Sequence, residues 1–366
     1  MGTTAVDEWG VIERLLPWGW KEAAREKRAF RRARYLSDPA PLLRLLLFHA
    51  VNDSGLRESV AQAGASGIAR MSQVALLKRL RTSGDWLAWI GSELCRGFRD
   101  EPRLPEGLRP RAIDSTTVQG PAAKGIDWRV HYTLDLLNLN CDWFEVGDAK
   151  SGEALEKAPL REGDVLIGDR NFLRVPGVRA VVAAGAHVLV RMRWCHPPMV
   201  SENGRPFRVL AHTKWLRVGR VGQWAVRLID PAGKPIPGRV VAIKLPKPIA
   251  EKAARRAQRE SCKKHKRPDP RSLQAARFVM VFTTLPSTGL NAAGVLNLYR
   301  CRWQIELAFK RLKQLLRLGR LPHKDQAVAR SWILAKLVVA LLLELLYRNA
   351  RAISPWGYHV ETPAAP

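Results

Sequence analysis

From Val11 to about Phe98, apolar residues recur at helical spacing, in clusters such as Leu42, Leu43, Leu45, Leu46 and Leu47 separated by polar breaks. No stretch there alternates with the period of two that marks a strand, so residues 1–105 are expected to form an all-helical domain. Within it, Ser54 to Ala63 and Ser72 to Arg81 read as two helices joined by a tight turn at Gly64, the second basic and capped by Ser72. The proline-rich break from Pro102 to Pro110 ends this region. Arg111 to Val118, Trp128 to Leu136 and Cys141 to Val146 then read as sequential strands, and Gly152 to Lys157 as a short helix. Asp164 to Gly168 is a continuous apolar strand that delivers Asp169 at its end, followed by a helix over Val175 to Ala184 and a strand over Ala186 to Met192.

Beyond Arg193 the pattern changes to alternating strands with turns expected at Gly204, Gly219, Gly222, Pro231 to Gly233 and Pro235 to Gly238. This predicts a mostly β insertion over 193–288 in an α/β core whose two parts are 106–192 and 289–366. Arg277 to Thr284 is a strand returning to that core. A helix from Ala292 to Arg317 and a final helix from Gln326 to Asn349 complete the chain's elements. The most apolar stretch, Trp332 to Tyr347, is interrupted by Lys336 and Glu344 and is shorter than the roughly 20 residues a bilayer needs, so a buried helix is expected.

Charge narrows the partners. Sixty-one Lys and Arg against 33 Asp and Glu leave a net charge of +28, a field that attracts polyanions and makes nucleic acid the default partner. Basic residues concentrate in Lys21 to Arg34 and in Lys252 to Arg271, the latter including Lys263 and Lys264 and reading as an exposed helical arm that orders on DNA. The five cysteines are scattered with no C-x-x-C pair, the pattern of reduced thiols in a cytoplasmic protein, and Met1 to Trp20 lacks the features of a secretory signal. Charge alone does not separate an enzyme from a structural nucleic-acid binder.

The segment Tyr299-Arg-Cys-Arg-Trp-Gln-Ile-Glu306-Leu-Ala-Phe-Lys310-Arg-Leu-Lys313 does. At ~100° per residue, Tyr299, Arg302, Glu306 and Lys313 fall within an arc of roughly 60° on one helix face. A lone carboxylate among cations suits a site that holds a metal ion and a phosphodiester together. The plainer alternative is a solvated charged stripe on an amphipathic helix.

This Y-(2)-R-(3)-E-(6)-K spacing resembles the signature of the insertion-sequence-4 family of DDE transposases. Arg111-Ala-Ile-Asp114-Ser-Thr-Thr117 and Asp164-Val-Leu-Ile-Gly-Asp169-Arg-Asn-Phe172 resemble its two Asp motifs, in the family's order and over nearly the whole chain. The resemblance implies an RNase H-like core, with the first Asp in mid-sheet, the second at a neighbouring strand end and the Glu on a later helix beyond a β insertion. It further implies that Asp114, Asp169 and Glu306 hold two Mg²⁺ ions, for which Mn²⁺ substitutes, about 4 Å apart. Tyr299, Arg302 and Lys313 would contact phosphates near the cut. Some relatives pass through a hairpin at the transposon end and stack a flipped base on a Trp; Phe278, a smaller ring, stands at the matching position here and reads at least equally as core packing on its strand, with Trp194, Trp215 and Trp224 as other platforms or as core residues.

By the same resemblance the protein is a cut-and-paste DNA transposase of the bacterial cytoplasm, at work on nucleoid DNA. It would act as a homodimer on double-stranded transposon ends and target DNA, with no membrane partner. Other readings remain: a metal-dependent nuclease that does not join strands, or a DNA-binding protein that has lost catalysis. Taken singly, Asp114 reads as a cap on its own Ser-Thr-Thr turn and Asp169 as a partner of Arg170. The remaining acids nearby, Asp127, Asp135, Asp148 and Asp164, read as strand-end or surface residues, and His131 and Tyr132 as core. The pair of helices at Ser54 to Arg81 reads equally as a DNA-reading helix-turn-helix or as a plain bundle with Lys78, Arg79 and Arg81 in solvent.

Overall fold

The computed structural model describes residues 9–31, 36–98, 104, 107–121, 127–263, 265, 267–319 and 321–351. The first part is helical as its apolar spacing requires: α1 (Trp9–Leu15), α2 (Trp20–Glu26), α3 (Pro39–Asn52), α4 (Leu56–Ala65), α5 (Gln73–Thr82) and α6 (Gly84–Arg96). Local chemistry sets the helix starts. Asp38 accepts from the Ala40 N–H at 2.8 Å ahead of Pro39, and Ser72 accepts from the Ala75 N–H at 3.2 Å. Residues 66–72, with Gly67 in the left-handed region at φ +68, separate α4 from α5, a loop where a tight turn was expected.

The remaining elements are β1 (Arg109–Val118), β2 (Trp128–Asp135), β3 (Cys141–Asp148), β4 (Asp164–Gly168), α7 (Val175–Ala183), β5 (His187–Arg191), β6 (Met199–Ser201) and α8 (Val209–Thr213). They continue with β7 (Val221–Leu228), β8 (Ile236–Lys244), α9 (Lys247–Lys263), α10 (Pro270–Ala275), β9 (Phe278–Thr283), α11 (Ala292–Cys301), α12 (Trp303–Gln314) and α13 (Gln326–Arg351). The short helix expected at 152–157 is a 3₁₀ turn over Leu155–Lys157.

All nine strands form one mixed sheet in the order β3-β2-β1-β4-β5-β9-β8-β7-β6. The β3-β2-β1 meander is antiparallel, β4 and β5 run parallel to β1, and β9 onward is antiparallel again. A parallel neighbour needs a crossover, and α7 supplies it between β4 and β5. The strands at 193–288 therefore extend the core sheet, joined to it where β9 pairs with β5 and β8. Two glycines expected in turns lie within strands. A Cβ at Gly222 of β7 would come within 2.5 Å of the Trp224 ring, and one at Gly238 of β8 within 2.6 Å of the Phe282 ring. Close approach of aromatic rings, and not turn geometry, excludes a side chain at both places.

Period-two alternation divides the β-strand side chains between cores on the two faces of the sheet. Leu166 of β4 packs with Ile113, Val178, Val181, Val188 and Phe282 under α7. Val165 and Ile167 pack on the opposite face with Leu189, Val281, and Val295 and Leu296 of α11. The N-terminal helices share one continuous core with α12, α13 and β1–β3, including Leu42, Leu46, Trp86, Val130, Tyr132, Phe309 and Trp332. The helical region is thus packed into the same body as the sheet. Lys336 is buried in α13 beside Asp53 and the Leu316 carbonyl, and Glu344 accepts from the Cys141 N–H at 3.1 Å and the Tyr132 hydroxyl at 3.4 Å. Among the described residues no helix is long and apolar enough to cross a membrane.

Asp164 stands at a strand end as expected, the start of β4, but not at the surface. It is fully buried, 2.8 Å from Arg109 Nη2 and 2.9 Å from Arg111 Nη1, while Arg111 Nε donates to Asp142 at 2.5 Å. The network staples the start of β1 to β3 and β4. His131 and Tyr132 are buried as expected.

Candidate active site

β1 and β4 run parallel with Ala112 opposite Ile167, so two residues further on Asp114 is level with Asp169 on strands about 4.8 Å apart. Asp169 follows the end of β4, where the chain folds back: Phe172 N–H donates to the Asp169 carbonyl at 3.2 Å and Asn171 N–H to its carboxylate at 2.7 Å. Gly168 permits that fold, because a Cβ there would come within 2.9 Å of Phe172. Arg170 does not neutralise Asp169; it lies 4.0 Å from Glu260 of α9.

The Asp114 side chain is 20% exposed. Its carboxylate accepts from the Ser115 N–H at 2.8 Å, as the turn-capping alternative expected, and also from Arg302 Nη1 at 3.4 Å. Burial pushes this carboxyl up to about 6; the Ser115 N–H and Arg302 oppose the rise, while the Asp169 and Glu153 charges add to it.

The expected single helix over 292–317 is interrupted at Arg302. Arg302 N–H reaches the Tyr299 carbonyl at 3.1 Å and Ile305 N–H the Arg302 carbonyl at 3.1 Å, the i−3 spacing of a tighter 3₁₀ turn that divides α11 from α12. From this joint Arg302 donates to Glu306 at 2.5 Å as well as to Asp114, so its guanidinium bridges the strand acid and the helix acid. Tyr299 is half-buried in the last turn of α11. Burial raises its phenol, Arg302 and Arg191 oppose that rise and the Asp169 charge adds to it, so the phenol lies within electrostatic range of all three. Glu306 is 59% exposed, and Lys313 is exposed on α12.

Among the described residues no group of three or more His, Cys, Asp or Glu is gathered closely enough to hold a metal ion. The bridging guanidinium accounts for this between Asp114 and Glu306. The donor set still fits a hard divalent cation: the candidate ligands are carboxylate oxygens, and a positive charge already stands between two of them.

The other sequence candidates are dispersed. Phe278 is 4% exposed and packs in the sheet core, the place its core reading expected. Trp194 and Trp224 are half-buried; Arg271 lies over the Trp194 ring at 4.0 Å, and Trp215 is 81% exposed. Lys263 is exposed at the end of α9, a helix whose buried residue is Ala250, while Lys264 lies outside the described residues. In α5, Arg79 is half-buried and donates to the Ala29 and Arg31 carbonyls, while Lys78 and Arg81 are exposed, Arg81 pairing with Asp325 at the surface.

Glu153 was missed by sequence reading. Its partners are 38, 24 and 18 residues away in the chain, so no local pattern marks it.

Residues 105–342 match the family described as the transposase DDE domain, and the chain belongs to it. It is a DNA transposase, similar over most of its length to proteins of insertion sequences. One, from Escherichia coli K12, is described as a transposase, InsL, of insertion sequence element IS186A; it is 32% identical over 345 residues, 92% of this chain and 93% of that protein. The transposase of element IS421 of Escherichia coli is 32% identical over 346 residues, with the same coverage of each chain. A piggyBac transposase synaptic complex with hairpin DNA, solved by cryo-electron microscopy, aligns at 12% identity and a TM-score of 0.49, covering 96% of this chain and 75% of that one.

Proposed function

We propose that this transposase works by cut-and-paste, in the manner of the insertion-sequence-4 family, with Asp114, Asp169 and Glu306 as its catalytic acids on an RNase H-like core. One observation carries the reading: Arg302 bridges Asp114 on the central part of the sheet to Glu306 on a later helix, beside the strand end that bears Asp169. The order of acids along the chain and their places in the fold support the same core.

These carboxylates would hold divalent ions, Mg²⁺ or Mn²⁺, which supply charge neutralisation of the phosphodiester and activation of its oxygen nucleophile. The chain's own residues do the rest. Lys313 and Arg302 present cations to phosphate oxygens, and Arg302 exchanges carboxylate partners for phosphate when DNA enters. Tyr299 offers its phenolic hydrogen as a donor, bound at neutral pH as in any tyrosine, and burial raises the phenol further. The exposed basic residues of α9 widen the field that attracts double-stranded DNA. A homodimer would bring two transposon ends together.

The test is cleavage of DNA bearing the repeats that flank the gene, in Mg²⁺, with wild type beside Asp169→Ala. Cutting at the repeat boundary, lost in the variant with DNA binding intact, is expected. Cutting without joining to a second DNA would indicate a nuclease, and binding without cutting by the folded dimer an inactive DNA binder.

A further inference from the structure

Glu153 belongs to neither strand that carries a candidate acid, yet it is bonded to Ser115 within β1 and to Asn171 in the turn that follows β4. It lies in the segment between β3 and the Leu155–Lys157 turn, which is anchored by Leu155, 1% exposed in the core under α7. One carboxylate oxygen accepts from the Ser115 hydroxyl at 2.7 Å and from Arg129 Nη1 at 3.2 Å. The other accepts from Asn171 Nδ2 at 3.2 Å, and Asn171 Oδ1 in turn accepts from Arg193 Nη2 at 2.5 Å. Ser115 and Asn171 are also the residues whose backbone N–H groups fix the Asp114 and Asp169 carboxylates, at 2.8 and 2.7 Å. A single side chain, 16% exposed, therefore connects the group that orients one acid to the group that orients the other.

We infer that Glu153 is a positioning residue that sets the spacing of Asp114 and Asp169, acting through Ser115 on one side and Asn171 on the other. The inference rests on the proposal that those two acids hold divalent ions. Both Glu153 oxygens are taken by hydrogen-bond donors, so its own role is to orient. Parallel strands fix the backbone level of the two acids, and the turn after β4 is closed by its own bonds, but neither ties the Asp169 turn to the Asp114 side of β1. The Glu153 bridge supplies that tie. Groups that orient ligands in this way typically change metal affinity 10–100-fold when removed.

The experiment is a titration of Mn²⁺ into the full-length, DNA-free protein, followed by electron paramagnetic resonance, alongside DNA binding and single-turnover cleavage. Glu153→Ala is expected to weaken Mn²⁺ binding about 10- to 100-fold and to slow cleavage at saturating DNA, with DNA affinity unchanged. Ser115→Ala is expected to weaken it less, and the double variant to be no weaker than Glu153→Ala alone, because both remove the same link. Additive effects, or unchanged Mn²⁺ affinity in Glu153→Ala, would overturn the inference. If Glu153→Ala does not fold, Ser115→Ala, which removes one hydroxyl, decides it: unchanged affinity overturns the role. Asp114→Asn separates the two levels. If it weakens Mn²⁺ binding and Glu153→Ala does not, the bridge alone is wrong; if it leaves binding unchanged, the metal-holding role of Asp114 fails and the inference with it.

Discussion

Two arginine–carboxylate clusters meet β1 within a few residues of each other. At its start, Arg109 and Arg111 share Asp142 and Asp164, and every one of these side chains is 2% exposed or less. Further along, Arg302 shares Asp114 and Glu306 at exposures of 16%, 20% and 59%. The closed cluster has two cations for two acids. Burial alone would raise the Asp142 carboxyl, but Arg111, the Thr133 hydroxyl and Arg109 hold it below the usual carboxylate range. The open cluster has one cation for two acids; burial above all, with the charges of Asp169 and of the Arg129-paired Glu153 added, pushes the Asp114 carboxyl up to about 6. The same residue types make a structural joint where charge balances out of water, and a site where negative charge is left in excess.

The sharpest way to break this comparison is Arg111→Ala. It leaves Arg109 alone between two buried carboxylates, and unfolding in urea is expected to show a loss of about 3–5 kcal/mol. A loss below about 1 kcal/mol would mean that the closed cluster is not a joint.

Glu344 tests what a carboxylate does when its bonded partners are neutral. Burial raises it to about 7 from 4.5, opposed by the Cys141 N–H, the Tyr132 hydroxyl and Arg311. The folded state therefore binds the proton more tightly than the unfolded state. The associated stability is complete below about pH 4.5, falls as pH rises towards 7, and stays lost above. Glu344→Gln is expected to gain about 2 kcal/mol at pH 8 and nothing at pH 4, read by thermal unfolding across that range.

Asp114→Asn should likewise stabilise the protein without metal, by about 1 kcal/mol at pH 8, because the gain from removing a raised carboxyl outweighs the lost Arg302 pair. The sign follows from the folded-state value of about 6 against 3.8, so the gain vanishes as pH falls through that window. Destabilisation by Asp114→Asn at pH 8 would make the open cluster structural too. Lys313→Ala, at the exposed edge, should change stability by less than about 0.5 kcal/mol and reduce the salt dependence of DNA binding by about one phosphate contact.

Much of this was legible in local pattern. The limits of β4, the span of α13 and the cap at Ser72 follow from apolar runs and a favoured capping residue, and they recur in the structure almost residue for residue. Arg302 and Glu306 were visible as neighbours on a helix because four residues is one turn. What was hidden depends on distant pairing. Asp164 reads as a strand end, and its burial shows only when Arg109 and Arg111 arrive from β1. Glu153 has no pattern at all until Ser115 of β1 and the turn after β4 meet it. Gly222 looks like a turn until the Trp224 ring occupies the space over it. The interruption at Arg302 was also unreadable, since nothing in the residues around it breaks helical spacing.

The shared core of α13 has a consequence for how the molecule is made. This helix packs against α3, α5 and α6, all of which leave the ribosome before any strand does, and α13 itself follows every strand. Until it emerges, Leu42, Leu46 and Trp86 lack partners from the far end of the chain, and a growing polypeptide carries an unfinished apolar surface. Synthesis and activity are thereby placed in strict order: the acid-bearing strands are complete well before the body that steadies them can close.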